Sequence, residues 1–226
     1  PRIRIPWDWY TTERFFDQAD VAYPDETWTW DTLCEASAQI YGKDRKYGYM
    51  AYADEQLGYW NFVYQAGGCI LNEDKTKAGF LEPATRKAME FYVNLREGVH
   101  GRPTDYFAET APGNAFFSGQ GAMYLEGNWN LMSLRENNAE MEGKWDVAVL
   151  PKCPDPEKGD GRATISNGLS YATGAHGKKL SHALDFLKFC GSEEGQRVQG
   201  LSGAAIPPMR GWRIPGSAHL TNLIIK

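Results

Sequence analysis

The stretch FSGQGAMYLEGNW, residues 117–129, decides the fold class. Its glycine-rich start at 118–121 is typical of a turn, and the mainly apolar residues 122–126 predict a strand. The Gly-Asn pair that follows predicts a second turn, and a helix is expected over about 129–137. Another helix is predicted immediately before the stretch, over about 107–117. A strand enclosed by two helices in this way is typical of an α/β fold.

Helices and strands alternate along the rest of the chain. The clearest helix begins at Pro83, because proline is favoured at the first helical position, and it ends at Gly98. Residues 151–162 hold three prolines and two glycines, which predicts an exposed loop or a crossing between domains. We therefore expect an α/β fold with a mixed sheet. Further helices are predicted over about 30–41, 55–66, 178–189 and 193–200, and strands over about 1–10, 47–53, 145–150 and 164–173.

The composition is that of a folded globular protein. Of the 226 residues, 42% are hydrophobic and 23% are charged, which argues against a disordered or fibrous chain. The formal net charge is −5 and no run of Lys or Arg exceeds two residues, so we expect no nucleic-acid partner. Because the mean hydropathy is −0.53 and the apolar runs are short, the sequence predicts no membrane span.

Four cysteines lie far apart in the sequence and form no C-x-x-C pair. A chain of this length does not need disulfides to build a core, so we expect free, mostly buried thiols. The first four residues, PRIR, alternate as in a strand already in progress, which predicts that the sequence starts inside a domain. The cysteines are Cys34, Cys69, Cys153 and Cys190.

The motifs for catalysis and metal binding are all incomplete. Residues 168–172 are similar to a serine nucleophile elbow, but Ala172 replaces its last glycine and the segment lies in a predicted strand. Gly119 and Gly121 lack the third glycine of a dinucleotide-binding loop. The four histidines are scattered and have no metal-ligand spacing. We therefore expect no catalytic residue, no cofactor and no bound metal.

Aromatic residues make up 13% of the chain, with eight Trp and twelve Tyr. Two interpretations are open. In the first, the rings fill the core, as most of them must. In the second, a few of them line a cleft for a flat, polyhydroxylated ligand. Trp and Tyr suit the second role because they combine an apolar face with a polar tip.

Six segments of the sequence occur in the order in which one known family has them. They are YPDETWTWDTL (23–33), QAGG (65–68), FSGQGAMYLEGNW (117–129), WDVAVLP (145–151), ALDFLKFCGSEEGQ (183–196) and AIP (205–207). By these segments the chain resembles the extracytoplasmic solute-binding proteins of ABC importers, of the maltose-binding-protein-like, carbohydrate-binding class. The resemblance covers roughly residues 10–210.

The resemblance implies a periplasmic-binding-protein-like fold of the class II type, in which two lobes are hinged around a cleft. Proteins of this family are much longer, so the chain corresponds mainly to one lobe plus part of the return segment of the other. Residues 1–150 are expected to be mostly second lobe, and 151–226 to be the crossing and return segment, partly of the first lobe. The chain is then a fragment or a shortened gene product. Residues 10–20 depart from the family pattern by losing an Asn and a Gly.

The resemblance also implies a function. A protein of this family binds an extracellular sugar or oligosaccharide and delivers it to the membrane subunits of an ABC importer. It is expected to be a monomer, to act in the periplasm or as a lipoprotein at the cell surface, and to catalyse no reaction.

Two candidate ligand-binding residues follow the predicted strand directly. Trp129 comes after a Gly-Asn turn, so its side chain is expected at the mouth of the strand, where it would stack against a sugar ring. The alternative for Trp129 is a core tryptophan that begins a helix. Asn128 is carried by the same turn and would bond a sugar hydroxyl, or simply cap the helix.

Two further candidates, Glu55 and Trp60, lie on the helix at which the family contacts sugar. Glu55 and Trp60 are five residues apart, or about 140° around a helix, so only one of them is expected to face the cleft, and Glu55 is preferred. Asn167 and Gly168 lie in the predicted return strand, where a missing side chain would let ligand approach the backbone, unless the pair forms a plain bulge. Tyr10 is expected near the hinge.

Two other functions stay open from the sequence. A glycosidase, or its sugar-binding module, would also use aromatic residues and carboxylates. Such an enzyme needs two carboxyl groups about 5–9 Å apart, and Glu126 and Glu55 form the only pair that we can nominate. Alternatively, this chain binds nothing by itself, because half of the cleft is absent.

Overall fold

The computed structural model describes residues 5–44, 47–51, 58–96, 112–130, 133–134, 144–168 and 170–202. Five strands and seven helices are assigned within these ranges. The strands are β1 (Ile5–Thr12), β2 (Tyr47–Met50), β3 (Gly121–Gly127), β4 (Trp145–Ala148) and β5 (Ser166–Asn167). The helices are α1 (Glu13–Ala19), α2 (Trp30–Asp44), α3 (Trp60–Gln65), α4 (Pro83–Arg96), α5 (Pro112–Phe117), α6 (Leu180–Gly191) and α7 (Glu193–Ser202).

The five strands form a mixed sheet, as predicted. Its order is β2-β3-β1-β4, and β5 pairs with the start of β1. β3 runs parallel to β2 and antiparallel to β1, with Tyr10 opposite Tyr124. β4 and β5 are also antiparallel to β1. Together with the helices between the strands, this sheet confirms the α/β fold class.

The chain divides into two compact units. The larger unit is drawn from Trp7–Gly127 and Asn137–Ile165, and the smaller unit from Pro1–Pro6, Asn128–Glu136 and Ser166–Lys226. Which unit corresponds to which lobe of a solute-binding fold stays a prediction.

The core of the larger unit is built around β3 and a cluster of aromatic rings. All seven residues of β3 are buried, as expected for an apolar strand with a neighbour on each side. In the aromatic cluster, Trp30 of α2 stacks on Phe91 of α4 at 4.3 Å between ring centroids. Phe62 of α3 lies 5.7 Å from the Trp30 ring and 5.3 Å from that of Tyr92. Three helices are thereby joined through their apolar faces.

Several predicted boundaries are wrong. The strand expected over 164–173 is reduced to the two residues of β5, because the backbone of residues 163 and 165 bonds to side chains of α3 instead of to a strand. The strand expected over 47–53 ends at Met50. Of the helix expected over 55–66, the regular part is α3, and residues 52–57 lie outside the described residues.

The predicted loop at 151–162 is more firmly tied than its composition suggests. The Lys152 N–H donates to the carbonyl of Trp28 at 2.9 Å, and the Lys152 carbonyl accepts from the Trp30 N–H at 3.1 Å. Further along, Glu157 N–H donates to the carbonyl of Ala66 at 2.8 Å. The Lys87 ammonium pairs with Asp155, and this pairing holds the pKa of the Asp155 carboxyl below its usual range. The loop therefore connects α2, α3 and α4.

In the smaller unit, α6 and α7 present apolar side chains to solvent. α6 has no buried residue, although its sequence is strongly amphipathic. Phe186 is 62% exposed, and four further large apolar residues of the two helices are between 43% and 54% exposed. These are Leu184, Phe189, Val198 and Leu201. No helix among the described residues is long and apolar enough to cross a membrane.

Candidate functional site

The turn after β3 carries the two candidate residues that the sequence placed there. β3 ends at Gly127, whose N–H donates to the Glu126 side chain at 2.9 Å. Residues 128 and 129 form the turn, and helical structure resumes at Asn130. The strand is buried on both faces up to its last residue, so the chain leaves the sheet directly into this turn.

Asn128 is buried but not fully bonded. Its side chain is 1% exposed, and its Oδ1 has no hydrogen-bond partner in the described part of the chain. An asparagine that capped the following helix would accept a backbone N–H at this atom. Asn128 therefore does not cap the helix through Oδ1, and this buried acceptor has no partner among the described residues. Such an orphan costs about 1–3 kcal/mol unless another group satisfies it.

Trp129 is half-buried, between the two environments that the sequence left open. The largest fully buried side chains include Tyr124 and Leu125 of β3 but not Trp129. A ring with part of its surface in solvent suits a stacking platform better than a core position. Its contact with a sugar stays a prediction.

Glu126, one of the two carboxylates considered for a glycosidase, supports the strand end. It is 6% exposed, and its Oε1 accepts the N–H of Gly127. The second carboxylate, Glu55, lies outside the described residues. No group of three or more His, Cys, Asp or Glu able to hold a metal ion occurs in the described ranges.

Trp60 begins α3 in the larger unit. It is half-buried, and its Nε1 is buried without a hydrogen-bond partner among the described residues. The neighbouring Phe62 and Val63 are 1% and 0% exposed, so the core-facing side of α3 is already filled by apolar residues. Trp60 thus resembles Asn128 in offering a polar atom that the protein leaves unused.

Two buried amides on α3 were not singled out by the sequence. Asn61 Oδ1 accepts the N–H of Ile165 at 3.0 Å, and Asn61 is 0% exposed. Four residues on, on the same helical face, Gln65 donates its Nε2 to the carbonyl of Ala163 at 3.1 Å. The Oε1 of Gln65 accepts Trp30 Nε1 at 2.7 Å. The only available signal was two amides, four residues apart, in an otherwise apolar helix.

The remaining predicted site residues are placed only in part. Tyr10 lies in the middle of β1, paired with β3 and β4, and Asn167 pairs with Ile5 in β5. Gly168 is exposed directly after β5. The side chains of Tyr10 and Asn167 lie outside what the structure describes. Trp60 and Tyr10 belong to the larger unit, whereas Asn128, Trp129, Asn167 and Gly168 belong to the smaller one.

All four cysteines are free, as expected, but only Cys34 and Cys153 are fully buried. Burial raises the pKa of the Cys34 thiol to about 12, with a smaller contribution from the nearby carboxylates of Asp31 and Glu35. Burial also raises the pKa of Cys153. Cys69 and Cys190 are half-buried.

The sequence profile of the family described as bacterial extracellular solute-binding protein matches residues 3–211. The chain belongs to this family. The match confirms the resemblance that the six ordered segments indicated. The family consists of binding proteins that act outside the cytoplasm and are not enzymes, so nothing favours the glycosidase alternative.

Solved structures of solute-binding proteins share the fold. One from Thermotoga lettingae TMO, bound with α-D-tagatose, has a TM-score of 0.75 and 24% identity, covering 92% of this chain and 53% of that protein. One from Listeria monocytogenes, in complex with cycloalternan, has a TM-score of 0.74 and 20% identity, covering 92% and 52%. The sugar-binding protein MalE from Xanthomonas citri has a TM-score of 0.69 and 21% identity, covering 94% and 53%.

These similarities confirm a periplasmic-binding-protein-like fold. The solute-binding chain spans about half the length of the three solved structures. No curated protein matches its sequence.

Proposed function

We propose that this solute-binding chain is part of a protein that binds a sugar or oligosaccharide and delivers it to an ABC importer. The observation that carries the proposal is the turn after β3, where a half-buried Trp129 follows a buried Asn128 whose side-chain carbonyl oxygen has no partner among the described residues. A sugar presents C–H faces that stack on aromatic rings and hydroxyls that donate to amide oxygens. The tagatose and cycloalternan named for the solved structures are ligands of this kind.

Within this proposal, Trp129 stacks on a sugar ring and Asn128 accepts a hydroxyl. Trp60 is the further candidate of the larger unit. Its Nε1–H has no partner among the described residues and can donate a hydrogen bond to a sugar hydroxyl oxygen. Glu55, Tyr10, Asn167 and Gly168 stay candidates from the sequence alone.

The proposed partners and location are those of the family. We propose that the protein acts in the periplasm or as a lipoprotein at the cell surface, as a monomer that contacts the membrane subunits of the importer and no nucleic acid. Residues 1–150 are assigned mostly to the second lobe, and 151–226 to the crossing and the return segment.

A thermal-shift panel of mono- and oligosaccharides tests the proposal. We expect at least one sugar to raise the melting temperature in a saturable way, because a ligand at 100 times its Kd adds about 2.7 kcal/mol to the free energy of unfolding. The panel is run on the 226-residue chain and on the native gene product that contains it. Amino acids serve as the control ligands. Shifts with amino acids and with no sugar, in both proteins, would contradict the proposal.

A further inference from the structure

The two helices of the smaller unit expose a set of large apolar side chains. On α6, Phe186 and Phe189 lie three residues apart, on one side of the helix, and both are exposed. On α7, Val198 and Leu201 have the same spacing and are also exposed. We term these four residues, together with the exposed Leu184, the α6–α7 face. No candidate sugar-binding residue belongs to it.

The apolar side of α6 is also uncovered at its centre. Ala183, Leu187 and Cys190 recur at i, i+4 and i+7, and each of them is only half-buried. Opposite them on the helix, Asp185 and Lys188 form an exposed ion pair at 3.3 Å. α6 therefore has a charged solvent side and an apolar side, but the apolar side lacks the cover that it would have in a core.

α4 of the larger unit shows how the chain covers such a helix elsewhere. It is of similar length and also amphipathic, and it buries five residues, among them Tyr92 and Leu95. α6 buries none. Because packing of the apolar side supplies most of the stability of a helix in a folded protein, we expect α6 to have a packing partner as well.

The contact between α6 and α7 uses small and polar residues. Gln196 Nε2 donates to the carbonyl of Cys190 at 2.6 Å. Gly195 lies so close to the end of α6 that an added Cβ would stand 2.1 Å from the carbonyl oxygen of Phe189. The buried residues of α7 are these two and Gly200. The two helices thus hold each other without using the exposed apolar residues.

The comparisons indicate what covers the α6–α7 face. The family profile matches residues 3–211, so both helices are part of the solute-binding fold and not an addition to it. The chain nevertheless spans only about half the length of the solved structures that share the fold. The other half of that fold has no counterpart in these 226 residues, and it is the polypeptide available to pack on an uncovered part of the same fold.

The charge of the two helices fits a protein partner better than a lipid surface. A helix that lies on a membrane surface is typically rich in Lys and Arg on its polar side. Residues 180–202 hold two basic residues, Lys188 and Arg197, against three acidic ones. These helices therefore carry no excess of positive charge for anionic lipid.

We propose that the α6–α7 face docks the part of the solute-binding fold that the native gene product holds outside these 226 residues. Phe186 and Phe189 of α6 and Val198 and Leu201 of α7 pack against that part, and Asp185 and Lys188 stay in solvent. The proposal rests on the family match and on the uncovered helices, and it does not depend on sugar binding.

Hydrogen exchange followed by mass spectrometry, on the 226-residue chain and on the native gene product, tests the proposal. We expect the amides of α6 and α7 to exchange at least about tenfold more slowly in the native gene product, because an uncovered helix opens locally more easily. α4, whose apolar side is already buried, is the internal reference.

Substitutions show whether the side chains of the face cause this protection. In the native gene product, Phe186→Asp should remove most of the protection, because it buries an unpaired charge at the interface. In the 226-residue chain the same substitution should leave the exchange of α6 unchanged. The matched control is Val93→Asp, at an exposed apolar residue of α4, which should keep the protection. Phe189→Gln replaces Phe186→Asp if circular dichroism shows the latter to be unfolded.

Five results would overturn the proposal. Three of them are equally slow exchange of α6 and α7 in both proteins, equal loss of protection in Phe186→Asp and Val93→Asp, and a native gene product with no further residues. The fourth is a dimer of the native gene product that is lost in Phe186→Asp, which would assign the face to a second copy. The fifth is sedimentation with phosphatidylglycerol vesicles that is lost in the same variant, which would assign it to lipid.

Discussion

Trp30 and Trp129 occupy opposite kinds of environment. Trp30 is 3% exposed, stacks on Phe91 and donates its Nε1 to Gln65 at 2.7 Å, so both its face and its polar tip are satisfied by the protein. Trp129 is half-buried and follows Asn128, whose buried Oδ1 has no partner in the described residues. The Trp30 ring therefore has its stacking contact and its hydrogen bond within the protein. Beside the half-buried Trp129, in contrast, the Asn128 oxygen has no partner among the described residues.

This difference separates a residue whose groups are used within the protein from the residues that we propose bind a ligand. Burial alone does not make the distinction, because Asn128 is as buried as Gln65, each being 1% exposed. What differs is the hydrogen bonding of the buried amide. Gln65 uses both of its amide atoms within the protein, and within the described ranges the Asn128 oxygen has no hydrogen-bond partner.

The largest effect is expected for Trp30→Ala. This substitution removes a stacked ring and leaves a large cavity between α2, α3 and α4, so we expect the free energy of unfolding to fall by about 3–5 kcal/mol. Urea denaturation followed by circular dichroism measures it. Trp60→Ala is the control, and we expect a smaller loss because Trp60 is only half-buried. Equal losses in the two variants would show that Trp30 has no special place in the core.

A smaller effect is expected for Gln65→Leu. The substitution keeps the buried volume but leaves Trp30 Nε1 and the Ala163 carbonyl without partners. We expect a loss of about 1–3 kcal/mol in the free energy of unfolding. The control is Gln199→Leu on α7, where the half-buried side chain donates only one exposed hydrogen bond, to the Tyr171 hydroxyl at 3.4 Å. A Gln65 variant as stable as the Gln199 variant would contradict the structural role of the buried amide.

The smallest effect is expected in the order in which a reagent modifies the four thiols. At pH 8 we expect a thiol reagent to modify Cys69 and Cys190 before Cys34 and Cys153, because the latter pair is buried. Cys34 has a pKa of about 12 in the folded chain. As the pH rises above about 8.5, the thiol ionises in the unfolded chain first, so stability should decline from that pH towards 12. Mass spectrometry of the labelled protein gives the order, and early modification of Cys34 would contradict its burial.

The fold was predictable where a local pattern and the tertiary structure agree. The strand at 122–126 was visible because an apolar run stands between glycines, and β3 extends it by one residue at each end. The helix at Pro83 was visible because its first residue is a preferred start, and α4 begins there. In both cases the same residues determine the local conformation and the burial.

The strand boundary and the buried amides were not predictable because they depend on contacts between residues that lie far apart in the sequence. The strand expected over 164–173 fails because Asn61 and Gln65, about 100 residues earlier in the sequence, bind the backbone of residues 163 and 165. A polar residue in a helix is ordinarily expected on the solvent side, so the burial of these amides could not be predicted from the helix itself.

Calorimetric titration of the sugar found in the panel, into native protein and its Trp129→Ala variant, tests the central claim most directly. We expect the variant to bind about 1–3 kcal/mol more weakly, as for a truncated aromatic anchor, and to unfold at nearly the same urea concentration. Normal sugar binding together with easy unfolding would contradict it, and would place Trp129 with Trp30 among the residues that hold the fold.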